Sequence, residues 1–282
     1  MIVAGVAARK VRILDSHSTT ALAHLVTKCL YPALIYASIT ANFTLQELFG
    51  HWSLPAGAFM IMALGVVSGG IVSIMMRFDS RPQKLGFRFQ TTINNYSFLP
   101  IPLALFLLGD NAVAMLLFST VGSELAVWTL GISALTGGKL SWRSIRALVN
   151  MPMAAIAAAA VTLCITGAVQ AFGAEHMLSS GAVAHTADAL LDALDLFGKG
   201  TIPVAMVVAG SRMAELRVHH LTGTPLMTVA AMRLLIIPAI AIGFLTLLPF
   251  ASSVRPVLTL VLVTHIGSIL TVPLWLLLLS VG

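Results

Sequence analysis

The sequence predicts an all-α fold: a polytopic membrane protein with inverted repeats and a broken, crossover helix. Two observations carry the class. Of 282 residues, 58% are hydrophobic and only 9% charged, against about 25% charged in a soluble domain, so too few charges remain to cover a water-facing surface. Apolar runs at Ala147–Phe172, Leu221–Phe250 and Val257–Val281 each exceed the roughly 20 residues that cross a bilayer at about 1.5 Å per residue.

Spans are expected at 19–41, 54–76, 87–108, 112–136, 147–172, 187–210, 222–250 and 257–281, with Met1–Ala8 reading as the end of a further helix. Basic clusters alternate with acidic or neutral loops along this series. Arg9, Lys10 and Arg12 precede the first span, and loop 42–53 holds Glu47 but no Lys or Arg. Arg77, Arg81, Lys84 and Arg88 follow, then Asp110 alone, then Lys139, Arg143 and Arg146. Glu175 and Asp188 come next without a base, then Arg212 and Arg217, and the alternation holds as far as Arg255. The positive-inside rule puts every basic loop in the cytoplasm, in a multi-pass protein of the cell membrane. The net charge of +6 follows from these loop cations and does not imply nucleic acid, for which no soluble domain is left. Cys29 and Cys164 both sit in apolar runs, where inert packing is expected and not a disulfide framework or a zinc site.

Lys28-Cys-Leu-Tyr-Pro32 in the first span recurs as Lys199-Gly-Thr-Ile-Pro203 in the sixth. By the loop charges these two spans run in opposite directions, as an inverted-topology repeat requires, and that architecture belongs to secondary transporters. The division falls at 1–136 for the N-terminal repeat and 137–282 for an apparently incomplete C-terminal one.

Thr91-Thr-Ile-Asn94-Asn95-Tyr-Ser97-Phe-Leu-Pro100-Ile-Pro102 lies mid-span. Two prolines within three residues remove two backbone donors and clash with the preceding turn, so a break is expected there. Exposed backbone at that depth is tolerated where it lines a cavity, the usual pointer to a transporter's substrate site. Asn94, Asn95 and Ser97 add side-chain donors and acceptors beside Pro100 and Pro102. The alternative is a plain proline kink whose asparagines bond to neighbouring helices.

Asn95-Tyr-Ser-Phe-Leu-Pro-Ile-Pro102, Leu108-Gly-Asp and Gly122-Ser-Glu124-Leu-Ala-Val-Trp128-Thr-Leu-Gly131 resemble the auxin efflux carrier family. So do Tyr31-Pro32-Ala-Leu-Ile, Thr201-Ile-Pro203-Val-Ala, Arg233-Leu-Leu-Ile-Ile-Pro238 and Leu270-Thr-Val-Pro273-Leu-Trp275. The resemblance implies ten helices in two inverted five-helix halves, two broken helices crossing at the substrate site, and export of organic anions such as auxin or dicarboxylates. By that likeness Asn95 and Pro102 match the first crossover's Asn and Pro. Two departures stand out: the first helix is short, and only Ala251–Thr264 lies where the second broken helix belongs. Family likeness then makes the ninth helix the missing one. The repeat offset instead carries Pro102 onto Pro273, Ser97 onto Ser268 and Asn94 onto His265, which makes His265 part of a second crossover and the tenth helix the missing one.

Three single residues complete the candidates. Glu124 stands in an otherwise apolar span, where an ionised carboxylate costs several kcal/mol, so it should face the protein interior; it is either a proton-linked carboxyl or a packing one bonded across helices. Lys199 could meet a substrate carboxylate or pair with Asp192 or Asp195. His265 is a core residue or a crossover ligand. Gly65-x-x-x-Gly69 predicts a close helix contact. No phosphate loop, metal cluster or nucleophile–base set is recognisable, so an enzyme is not expected and no cofactor is called for. The function expected is a secondary transporter, an efflux carrier for a small organic anion, auxin-like or dicarboxylate, by alternating access. A sodium-coupled symporter of the same architecture and a non-transporting remnant are the alternatives. The partners are the anion and the lipid bilayer, and a homodimer stays open.

Overall fold

Side-chain caps set where the helices begin. In the computed structural model, which describes residues 1–97, 100–137, 150–172, 182–215 and 224–247 together with Arg255, Leu258 and Thr259, Asp15 accepts the Ser18 N–H at 2.6 Å. That bond holds the exposed Asp15 carboxyl below the ordinary carboxylate range. Thr44 and Glu47 form a reciprocal capping box, Ser80 accepts from Gln83 N–H, and Asn150 from Met153 N–H at 3.0 Å. Each cap satisfies a donor that the first turn leaves without an intrahelical partner.

The described residues form helices and no strand. In chain order these are α1 (Ile2–Lys10), α2 (Ser16–Leu25), α3 (Tyr31–Asn42), α4 (Leu45–Gly50), α5 (Ser53–Met75), α6 (Arg81–Thr92), α7 (Pro100–Leu108), α8 (Asp110–Ala126) and α9 (Ile132–Thr136). They continue as α10 (Met151–Ala171), α11 (Ala182–Lys199), α12 (Thr201–Met213), α13 (Thr224–Ala231) and α14 (Ile237–Leu247). Wider π-turns join α2 to α3 (Val26–Leu30), α8 to α9 (Val127–Gly131) and α13 to α14 (Met232–Ile236). Two of these stand at one spacing from a proline, Pro32 and Pro238, whose missing N–H and bulky ring disfavour an ordinary α-turn just before them.

Among the described residues five helical stretches are long and apolar enough to span a bilayer: Ser16–Asn42, Leu45–Met75, Asp110–Thr136, Met151–Ala171 and Ala189–Met213, with a shorter apolar helix at Met227–Gly243. They match the expected spans to within a few residues, except where the second gains α4 and the third divides. The last expected span, 257–281, lies outside the described residues but for Leu258 and Thr259, as does His265.

Lipid gives helices no hydrophobic reason to associate, so close packing and polar contacts must hold them together. The core sits where α3, α5, α8 and α10 meet, around Ile35, Ile39, Leu54, Leu116, Leu117 and Ala159. Glycines set the approach distances. Gly5 and Gly210 let α1 lie against α12, Gly198 faces the Leu34 backbone, and Gly122 faces the Pro55 carbonyl. Thr19 and Ser211 share a buried hydroxyl contact at 2.7 Å, and Tyr36 meets Thr162 at 3.0 Å. Arg9 pairs with Glu215 at 2.6 Å and Arg212 with Glu215 at 3.2 Å, so two loops assigned by charge to one membrane side touch. Val67, Ile71, Val161 and Ile165 point outward, as lipid-facing residues must. Cys29 and Cys164 correct an expectation: both are exposed on helix surfaces and not packed inside.

Candidate functional site

The break falls where Asn94 and Asn95 stand, upstream of the prolines that predict it. In α6, Thr91 Oγ1 donates to the Phe87 and Arg88 carbonyls and Thr92 Oγ1 to that of Arg88. Ile93 N–H closes the last turn on Phe89 O at 3.0 Å, and the chain then runs extended from Ile93. Among the described residues the chain is helical again over Pro100–Leu108. A proline is tolerated in a first turn, where its absent N–H would have no partner anyway. The interruption expected around Asn94–Pro102 is present, between the end of α6 at Thr92 and the helix that holds Pro100 and Pro102.

This changes the donor inventory. Of the first three residues of α7, two are prolines without an N–H, and the Ile101 N–H is taken by Ser97 O at 3.0 Å. Side chains add polar capacity at the gap. Asn94 is 4% exposed, and both its amide nitrogen and its amide oxygen are buried without a protein partner. Ser97 is buried, Asn95 is half-buried and engaged, Pro100 is buried and Pro102 half-buried.

Glu124 ties the segment to the scaffold. It is buried on α8, on the face it shares with Ser119, Thr120 and Ser123, which recur at helical spacing. Its Oε1 accepts the Tyr96 hydroxyl at 2.9 Å, and its Oε2 accepts Trp128 Nε1–H at 3.0 Å and Asn150 Nδ2–H at 2.9 Å. Tyr31 faces Ser97, Thr120 and this carboxyl. Two N–H groups are donors only, so Oε2 must accept, and a proton on Glu124 has one place to sit: Oε1, opposite a hydroxyl that can turn to receive it. Gly65 and Gly69 on α5 face the Thr91 backbone and side chain, which seats the end of α6 against the core.

Of the residues expected to form the site, Asn94, Asn95, Ser97, Pro100 and Pro102 lie together at the break, and Glu124 joins them through Tyr96. Lys199 does not. It is exposed at the end of α11, paired with Asp195 at 2.6 Å, with Asp110 and Asp192 in range, so its charge is neutralised locally. Sequence reasoning passed over Tyr96, Trp128 and Asn150 as partners of Glu124. Asn150 carried a usable signal, an Asn before Met151-Pro152 at a helix start; its long-range bond to Glu124 had none.

Compared with known families, residues 1–142, just over half of the chain, match the family described as membrane transport proteins. No curated protein matches the chain. Apolar spans, a helix interrupted at a buried asparagine and the family match agree: the chain belongs to the auxin efflux carrier family and is a multi-pass membrane transporter.

Proposed function

We propose that this transporter is a secondary carrier exporting a small organic anion, auxin-like or a dicarboxylate, by alternating access, and that it holds the solute at the gap between α6 and α7. The supporting observation is Asn94. Buried polar atoms are almost always hydrogen-bonded, and an orphaned one costs about 1–3 kcal/mol. Here a donor and an acceptor on one amide are both orphaned, just past the extended Ile93 that ends α6. A solute with its own donor and acceptor would satisfy both. Division into inverted halves, 1–136 and 137–282, is the architecture through which the gap would face each side in turn. Coupling to the proton gradient would run through Glu124 Oε1.

The test is flux of labelled mono- and dicarboxylates in proteoliposomes under an imposed pH gradient or potential, with and without sodium. Gradient-driven, sodium-independent flux is expected, and Asn94→Leu, close to Asn in size, should lower it by about tenfold or more, the equivalent of one lost hydrogen bond of about 1.4 kcal/mol. Undiminished flux in a folded Asn94→Leu protein would remove the gap as the solute site, and an absolute sodium requirement would favour the symporter.

A further inference from the structure

Arg233 lies in the π-turn Met232–Ile236 and is 4% exposed. Its Nη1 donates to Gln90 Oε1 at 3.1 Å across the contact between this turn and α6. That bond uses one of five N–H donors in a group that never deprotonates in a protein. Arg233 Nε is buried without a partner, and so is Gln90 Nε2. The Nε–Nη2 edge is the fork that grips a carboxylate by two parallel bonds. Gln90, 2% exposed, adds a third donor beside it.

The carboxylates of the chain sharpen the point. Asp195 pairs with Lys199, and Glu215 with Arg9 and Arg212. Glu124 is occupied by Tyr96, Trp128 and Asn150. Asp15 and Glu47 serve as caps. Among the described residues no carboxylate reaches Arg233, and from Leu216 to Gly282 the sequence contains no Asp or Glu. Burying an unpaired ion costs several kcal/mol even after relaxation, and a cation inside a membrane protein marks a functional site by default. Gln90 also precedes Asn94 by four residues in the chain, in the last turn of α6 before the gap.

We propose that Arg233 and Gln90 form the subsite that receives the carboxylate group of the transported solute, with the solute's polar remainder at Asn94. This rests on the transport reading above and adds where the charge is held. The Nε–Nη2 edge donates to the carboxylate oxygens, Gln90 Nε2 contributes the third bond, and the Gln90–Arg233 bond fixes the fork's orientation.

The two readings separate by measuring binding and flux on the same full-length protein. With benzoate as probe, and benzamide and chloride as controls, the thermal midpoint of the detergent-purified protein is followed. Benzoate should raise it, and benzamide and chloride should not. Gln90→Glu installs an internal counter-ion, so the protein should stay folded while its benzoate affinity falls by about tenfold or more, the loss expected for one charge-assisted hydrogen bond. Arg233→Gln should abolish the benzoate response. Asn94→Leu should keep most of that response while losing flux. An unchanged benzoate response in Gln90→Glu or in folded Arg233→Gln, or an equal response to benzamide or chloride, overturns the subsite and leaves the transport reading standing. Normal flux in Asn94→Leu overturns the latter alone.

Discussion

Glu124 and Asn150 show how much one hydrogen-bonded pair decides at the residue scale. The Asn150 amide acts twice: its oxygen caps α10 through Met153 N–H, and its nitrogen donates to Glu124 Oε2. Asn150→Ala removes both and should lower stability in detergent by about 2–4 kcal/mol, the sum of a cap and a bond to a carboxylate. Asn150→Asp keeps the cap but sets one carboxylate against another, and at neutral pH should cost more than Ala; a smaller loss would mean that Glu124 does not carry charge there. Glu124→Gln is different. Its oxygen can face Trp128 and Asn150 while its NH₂ faces the Tyr96 oxygen, so the fold should be kept within about 1 kcal/mol. If Glu124 shuttles the coupling proton, this variant should lose the pH dependence of flux. A pH profile that survives the change reduces Glu124 to a packing residue.

Among the elements, α6 matters most, because its end positions both Gln90 and the gap. Gly65 admits it: a side chain there would run into the Thr91 carbonyl, and backbone yields less readily than a side-chain tip. Gly65→Val is therefore expected to cost about 1–3 kcal/mol through overpacking and to cut flux, whereas Gly70→Ala, with open space around it, should do neither. Unaltered thermal midpoint and flux in Gly65→Val would show that α6 can shift freely. The existence of a break was legible because proline chemistry is local. Its place beside Asn94 and Asn95 was legible as well, because two prolines closely downstream disfavour a continuous helix there, and α6 does end at Thr92. Spans were legible from composition and length alone. Partners 26 and 143 residues away along the chain, such as Asn150 for Glu124 and Arg233 for Gln90, leave no periodic trace, and a lone Arg in an apolar stretch does not announce what it faces.

On the scale of the whole molecule, charge and packing bear on orientation together. The Arg9–Glu215–Arg212 cluster joins two basic loops on one side, and the capped helix α4 belongs by charge to the other. In a background with Cys29 and Cys164 replaced by Ser, Lys10→Cys and Arg81→Cys should react with an impermeant maleimide from the cytoplasmic side only, and Gln46→Cys from the opposite side only. Labelling of Gln46→Cys and Arg81→Cys from one side would overturn the charge-based topology. Within that frame the two prolines at the head of α7 have a lasting effect. If α6 and α7 tried to zip into one rod, the Pro100 ring would strike the Tyr96 carbonyl and Pro102 that of Phe98, at about 3 kcal/mol apiece. A continuous rod is thus disfavoured by the sequence itself, and the interruption beside Asn94 is a built-in feature of the fold and not a passing defect.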